Sequence, residues 1–402
     1  MEAIELTAQG LLLRPWHVAD ADLVHRACQD PMIQRWTTVA VPYEHAHAVD
    51  FVGWYTEQSW ASGDAAPLGV FDAGTGDLLG AHGLVRLDRN AGTAEAGTWV
   101  APWARGRGVA ERATRAVAHW ALDILRLDLL GWHVEVGNHA SRLVAERVGF
   151  AFDGVSRAAM TSRRGGLVDS WRGTLRPGEI RDSPPRWYAP GAPGAIRAAT
   201  FGRPQPVLEA GPLRLRPVAE RDRDAMVLAC QDPESARWTT VPVPYHPADA
   251  TSFRNARAVT GWARGTAATF TIADPDDRSA GTVDIRLDPV DPAAGEIGVL
   301  VAPQARGHGY ATAAASAICA WSFDALGVTR IVWRAHVGNE ASRRVAEKVG
   351  FVAEGVQRAG CDQRGERRDA WIGSLLAGDA GREPLRPAPG CALAQSPRLI
   401  TP

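Results

Sequence analysis

The sequence predicts an α/β fold built twice in tandem, each copy a mixed sheet with helices partly covering both faces. Three observations predict it. The first is long-range self-similarity: LLLRP at 11–15 returns as LRLRP at 213–217, displaced by 202 positions, and VGNHASRLVAERVGF at 136–150 returns as VGNEASRRVAEKVGF, displaced by 201, with twelve of fifteen residues identical. An offset of that size marks whole domains, because solenoid repeats run about 20–50 residues. The second is alternation of strand-like and helix-like periodicity within each copy. The third is size and composition: 402 residues, 46% apolar and 22% charged, suit two soluble domains, each with its own core.

In the first copy a strand is expected around Leu11 to Arg14, then a helix near Ala19 to Cys28, a loop carrying RWTTVAVPY, and a helix from about Glu44 to Ser59. Strands follow near Leu68 to Phe71, Leu78 to Arg86 and Ala94 to Val100. The glycine-rich APWARGRG opens a helix from about Val109 to Leu127; a strand over Leu130 to Val136 and a short helix over Ala140 to Val148 come next. Strands near Ala151 to Arg157 and Leu167 to Thr174 close the copy, and the second repeats the order from Leu213 to Leu376. The domains are expected at 11–177 and 212–379. Between them, 178–211 has the proline, glycine and alanine content of a linker, and 380–402, with five prolines, reads as a disordered tail.

The formal net charge is −1 with the signs intermixed, so nothing in the sequence marks a nucleic-acid or membrane partner. The N-terminus lacks a basic region and a long apolar run, which points to a cytoplasmic protein. Five cysteines with no CxxC pair argue against a disulfide framework, and no His, Cys and carboxylate set has metal-ligand spacing, so no metal is expected. Cys28 and Cys230, at matching places within ACQDP, read as buried structural thiols.

The sharpest constellation is a strand, TWVAP, running into RGRG and then a helix. Glycines at 106 and 108 allow a tight turn and close ligand approach. The helix start directs unpaired N–H groups and the positive dipole end into that turn, which suits a pyrophosphate. There is no GxxxxGK[ST], and no GxGxxG follows the first strand of a βαβ unit, so nucleotide-binding alternatives fit less well. The second copy rebuilds the unit as LVAPQARGHGYAT.

Arg105, Gly106, Arg107, Gly108, Val109 and Ala110, with Arg306, Gly307, His308, Gly309, Tyr310 and Ala311, match [QR]xxGx[GA], and in this the chain resembles the GNAT acetyltransferases. The downstream NxxSxxxAExxGF, beginning at Asn138 and Asn339, together with LRP and the closing DSWRGTL and DAWIGSL, resembles the RimJ/RimL-like branch that acetylates ribosomal protein N-termini. The likeness covers about 170 residues twice. It implies a mostly antiparallel mixed sheet, acetyl-CoA as co-substrate with its pyrophosphate on the glycine turn, and strands that splay to admit pantetheine. Backbone amides of Trp99, Val100 and Ala101, and of Leu300, Val301 and Ala302, would steady the acyl oxygen. Asn138 and Asn339 would bond pantetheine, or cap the next helix, or both. Ser141 and Ser342 match a proton donor to the leaving thiolate, with capping as the plain alternative.

Glu95 and Glu296 are candidate general bases or solvent-facing strand residues, and Asp169 and Asp369 are second candidates that could instead pin the last hairpin. Trp36 and Tyr43, with Trp238 and Tyr245, are expected to wall the acceptor cleft. His82, His133 and His139 have no histidine counterparts in the second copy. The implied activity is acetyl transfer to a primary amine: a protein N-terminus, an aminoglycoside-like antibiotic or a small metabolite. The competing reading is a regulator or scaffold in which one or both copies bind acetyl-CoA without turnover. The tandem could also be an intramolecular version of a dimer.

Overall fold

A computed structural model describes residues 1–162 and 165–379. The expected tail at 380–402 lies outside the described residues. The chain divides into two compact units, Met1–Pro190 and Gly191 onward.

Unit 1 runs β1 (Leu6–Ala8), β2 (Leu11–Arg14), α1 (Ala21–Cys28), α2 (Pro31–Trp36), α3 (His45–Asp50), a wider helical turn at Phe51–Tyr55, and α4 (Thr56–Ser62). Then come β3 (Ala66–Asp72), β4 (Leu78–Asp88), β5 (Thr93–Val100), α5 (Val109–His119), β6 (Leu129–Glu135), α6 (His139–Val148), β7 (Ala151–Thr161) and β8 (Leu167–Leu175). Unit 2 opens with α7 (Pro193–Phe201) and β9 (Leu208–Ala210), followed by β10 (Leu213–Pro217), α8 (Arg223–Gln231), α9 (Pro233–Trp238), α10 (Pro247–Ser252) and α11 (Thr260–Arg264). It continues with β11 (Ala267–Ala273), β12 (Ser279–Leu287), β13 (Ala294–Val301), α12 (Tyr310–Leu326), β14 (Arg330–His336), α13 (Glu340–Val349), β15 (Val352–Gln363) and β16 (Glu366–Leu376).

Each unit is one eight-stranded sheet, ordered β1-β2-β3-β4-β5-β6-β8-β7 in unit 1 and correspondingly β9-β10-β11-β12-β13-β14-β16-β15 in unit 2. All neighbours are antiparallel except β5 with β6 and β13 with β14. The expected α/β class, the mostly antiparallel mixed sheet and the succession of main strands along the chain therefore hold. In unit 1 two short elements escaped sequence reading, as did their counterparts β9 and α9 in unit 2: β1 is three residues long, and α2 occupies part of the expected loop because Asp30 caps it, accepting from the Met32 and Ile33 N–H groups at 3.0 and 2.9 Å.

The opening LRP motif has a structural task. Arg14 makes a two-pronged pair with Asp20 at 2.8 and 2.9 Å, and Arg216 does the same with Asp222 at 2.8 Å, tying the first long strand to the start of the first helix. Part of the span expected as linker is folded. α7 docks on unit 2, where Phe201 is buried and packs edge-on against Trp262 at 4.8 Å, and Thr200 donates to the Ala325 carbonyl at 2.6 Å. A single aromatic residue at a helix end gives no sequence periodicity, so only packing reveals it.

Candidate active site

Register makes an opening in each sheet. β5 and β6 pair only at Thr93–Leu129, Ala94–Leu130 and Glu95–Gly131, although β5 runs on to Val100 and β6 to Glu135. β13 and β14 likewise pair only at Ala294–Arg330, Gly295–Ile331 and Glu296–Val332. Past those points the strands part, leaving one edge of β5 and of β13 unpaired by its neighbour. The Ala101 N–H donates to the Leu79 carbonyl at 2.9 Å on the β4 side, so by alternation the N–H of Val100 faces the opening, while those of Trp99 and Ala101 face β4. The Ala302 N–H, donating to the Ala280 carbonyl at 2.9 Å, assigns Val301 the same part in unit 2.

At the mouth of each opening lies the glycine turn. Gly106 and Gly108 have φ of +75° and +68°, Gly307 and Gly309 +81° and +76°, a left-handed backbone that other residues adopt only at a cost. A Cβ placed at any of the four would meet nothing within 4 Å, so the turn is an open cradle. Gly108 and Gly309 are the N-caps of α5 and α12, with no side chain capping either helix. The first-turn N–H groups thus point into the cradle, which fits a coenzyme pyrophosphate.

The signature arginines point elsewhere. Arg105 binds Asp30 at 2.5 and 3.2 Å, and Arg306 binds Asp232 at 2.6 Å and the Ser235 hydroxyl at 3.0 Å. They pin the turn to the cap of α2 or α9 and are already engaged. Burial pushes the Asp30 carboxyl up, but Arg105 and the α2 N–H groups outweigh it and hold it below the usual carboxylate range; for Asp232 the Arg306 bond is the leading cause of the same lowering. The aspartate of the repeated ACQDP is therefore a clamp, a role its sequence context did not disclose. Arg107 is over half exposed, with Asp72 3.9 Å away, and the His308 ring lies against Tyr310 at 5.5 Å.

Asn138 and Asn339 cap α6 and α13: their Oδ1 atoms accept from the Ser141 and Ser342 N–H groups at 3.2 and 3.1 Å. The serine hydroxyls lie beneath a tryptophan that sequence reading missed. Trp132 Nε1 donates to Ser141 Oγ, and Trp333 Nε1 to Ser342 Oγ, each at 2.9 Å. An indole N–H can only donate, so the serine oxygen must accept, and its own hydrogen is directed elsewhere. Strand alternation sets Trp132 on the α6 face of β6, but nothing local reveals its partner nine residues on.

On the other face stand Glu95, Gly97 and Trp99, beside His133 and Glu135 of β6. Glu95 Oε2 accepts from Arg86 at 2.6 Å; Glu296 accepts from Arg286 at 2.8 Å and has Arg334 at 3.6 Å. Trp99 stacks on Trp16 at 6.5 Å, and Phe51 and Phe71 meet Trp16 edge-on. Asp169 and Asp369 accept from the N–H groups of Ala158 and Ala359, two left-handed residues in β7 and β15, so both pin the last hairpin.

Of the expected acceptor wall, Tyr43 and Tyr245 are core residues, 7% and 5% exposed, their hydroxyls against the Cys28 and Cys230 thiols. Burial takes them out of reach of an acceptor, and the aromatic residue repeated at this place serves packing. Trp36 and Trp238 stay partly exposed, with Arg35 and Arg237 over their rings at 4.0 and 4.6 Å. Burial pushes the Cys28 thiol up to about 11, the opposite of a nucleophile, in agreement with a structural role.

A family model described as the acetyltransferase (GNAT) domain matches residues 10–151 and again 212–352. Over 81 residues, 20% of this chain and 44% of the relative, the sequence is 40% identical to YdaF of Bacillus subtilis (strain 168), provisionally named a ribosomal N-acetyltransferase. YoaA of the same organism, an uncharacterized N-acetyltransferase, is 36% identical over 81 residues, 20% of this chain and 46% of that protein. The matches thus span less than half the length of these curated relatives. Among solved structures, Mycobacterium smegmatis RimJ in complex with CoA-disulfide shares 24% identity at a TM-score of 0.40, over 44% of this chain and 89% of that one.

Proposed function

The chain belongs to the acetyltransferase (GNAT) domain family in two tandem copies, and from that premise we propose that it is an acetyl-CoA-dependent N-acetyltransferase whose acceptor is a primary amine. The observation that carries the reading is the twofold coincidence of a parted strand pair with an uncapped, glycine-turned helix start at its mouth. Acetyl-CoA supplies a thioester carbonyl open to attack. In this reading the amides of residues 106–111 and 307–312 hold the pyrophosphate, and the Val100 and Val301 N–H groups steady the charge developing on the acyl oxygen. Ser141 gives its hydroxyl proton to the leaving sulfur, oriented for it by Trp132, and Ser342 with Trp333 repeats that pair in unit 2.

The acceptor approaches from the face that carries Trp99 and Glu95. An ammonium group is drawn there by Glu95, whose partner Arg86 is 71% exposed and so competes weakly. The sequence likeness to a provisionally named ribosomal N-acetyltransferase favours a protein N-terminus as acceptor. Calorimetry with acetyl-CoA tests the first half of the reading, with close to two sites per chain expected and a flat titration refuting it. Thiol release with an amine panel tests the second.

A further inference from the structure

The two units differ most where the opening begins, on the acceptor face. In unit 1 the floor is glycine: Gly83 pairs with Gly97, Glu95 pairs with Gly131, and a Cβ at Gly97 would meet nothing within 4 Å. Glu95 leans over Gly131, its Cγ 3.3 Å from where a Cβ would stand. His133 rises two residues farther along β6, on the bank facing Gly97. Its Nε2 lies 2.6 Å from the Oγ of Ser170, a fully buried residue of β8, so the ring has a rigid support. Among the described residues no hydrogen bond engages Nδ1. The charged groups around the ring are Glu95 from β5, Arg86 from β4 and Arg172 from β8, while Glu135, next on the same face, is occupied by Arg35 at 2.5 and 2.7 Å. Burial first, then Arg172, hold the imidazole below its ordinary range against the pull of Glu95, so it is neutral near pH 7. In the tautomer whose Nε2–H donates to Ser170, the lone pair sits on Nδ1.

Unit 2 has Arg334 in that place. Arg286 and Arg334 occupy both oxygens of Glu296, at 2.8 and 3.6 Å. Asp284, which replaces Gly83, binds Arg286 at 2.9 Å, and the two side chains stand directly over Gly298. The floor that is open in unit 1 is filled, and the next residue on that face of β14, His336, is buried at 6% exposure beyond Arg334, its imidazole held below the ordinary range first by burial and then by Arg368 and Arg364.

We infer that His133 is the proton acceptor for the attacking amine in unit 1, and that unit 2, with Arg334 in its place, holds acetyl-CoA without deprotonating a primary amine. This rests on the transferase reading above. The acceptor enters as an ammonium and gives one proton to His133 Nδ1, and the lone pair this frees forms the N–C bond; the adduct nitrogen, positive after attack, releases its second proton to water, and as the C–S bond breaks the Ser141 hydroxyl proton passes to the sulfur. Solvent then reprotonates the serine and takes the imidazolium proton, so charge and protons balance.

The test uses the full chain with one glycine turn blocked at a time, G108D or G309D, and adds H133Q to the G309D form. Thiol release from acetyl-CoA is followed with ethylamine and with hydroxylamine, whose nitrogen is already largely unprotonated near pH 7, and acetyl-CoA binding is followed by calorimetry. Ethylamine-dependent release should vanish in G108D and persist in G309D. H133Q should lower kcat with ethylamine about 100-fold, the lower range for general-base catalysis, but with hydroxylamine less than about threefold. Unchanged acetyl-CoA affinity shows that H133Q is folded. Equal losses with both nucleophiles would make His133 structural and overturn the inference, as would full ethylamine turnover in H133Q or in G108D; the transferase reading survives these results. Acetyl-CoA bound with no thiol release in any form, or no binding at all, would overturn reading and inference together.

Discussion

Trp132→Phe isolates one hydrogen atom of the site. The substitution keeps a buried aromatic ring, only 7% exposed in the wild type, and removes the N–H that meets Ser141 Oγ at 2.9 Å. A hydrogen bond of this kind contributes about 1 kcal/mol net, so the unit, of ordinary size, should melt about 2–4 °C lower. The functional effect works through orientation. With the indole in place the serine oxygen accepts and its proton is directed away; without it the hydroxyl samples about three staggered positions and competes with other acceptors. In the G309D background kcat should fall about 3–10-fold for Trp132→Phe and about 100-fold for Ser141→Ala, where the general acid itself is lost. Acetyl-CoA affinity should stay within about twofold in both, because an interaction used only in the transition state shows in kcat. Steady-state thiol release beside calorimetry reads both quantities. The reasoning fails if Trp132→Phe costs as much as Ser141→Ala, if either variant loses affinity in step with rate, or if Ser141→Ala leaves turnover intact.

Other consequences can be measured separately. Gly108→Asp and Gly309→Asp should each remove one of two calorimetric acetyl-CoA sites, because each sets a carboxylate in the cradle and strains a left-handed position; two sites persisting would remove the cradle from the binding site. Asp30→Ala should cost about 1–2 kcal/mol in denaturant unfolding through the lost α2 cap and should weaken acetyl-CoA binding by releasing Arg105. The Asp30 carboxyl is lowered in the folded state, so its contribution is present above the unfolded value near pH 4 and disappears as pH falls through the lower folded value. His82 has a large expected pH effect. It is fully buried, with Nε2 2.9 Å from Thr114 and Nδ1 without a partner among the described residues, and burial pushes it down to about 3. Below about pH 6.5 the unfolded chain takes up a proton that the folded chain refuses until about pH 3, so stability should fall by on the order of a few kcal/mol across that window. His82→Val, which installs the residue unit 2 carries as Val283, should flatten that part of the profile; an unchanged slope would refute the assignment.

Much of the architecture was legible because its causes are local or repeated. Duplication is visible wherever two segments share an offset, and strand and helix periods follow from which side chains face a core. The glycine turns were readable because only glycine takes those backbone angles cheaply, and the asparagine caps because a short polar side chain before a helix has few other uses. Contacts between residues far apart in the chain were decided by tertiary packing. Sequence placed Arg105 beside the turn, but the fold turns it to Asp30, 75 residues away. It flagged Tyr43 and Tyr245 as cleft aromatics, and the core claimed them. It had no means of joining Trp132 to Ser141, since one lies on a strand and the other on the next helix. It noted His133 as an unmatched histidine, yet only strand register brings that ring beside Glu95 and substitutes Arg334 beside Glu296. The sequence by itself determined two glycine turns, each opening a helix. Which side chains face the parted strands was decided by sheet register and burial, which no local pattern encodes.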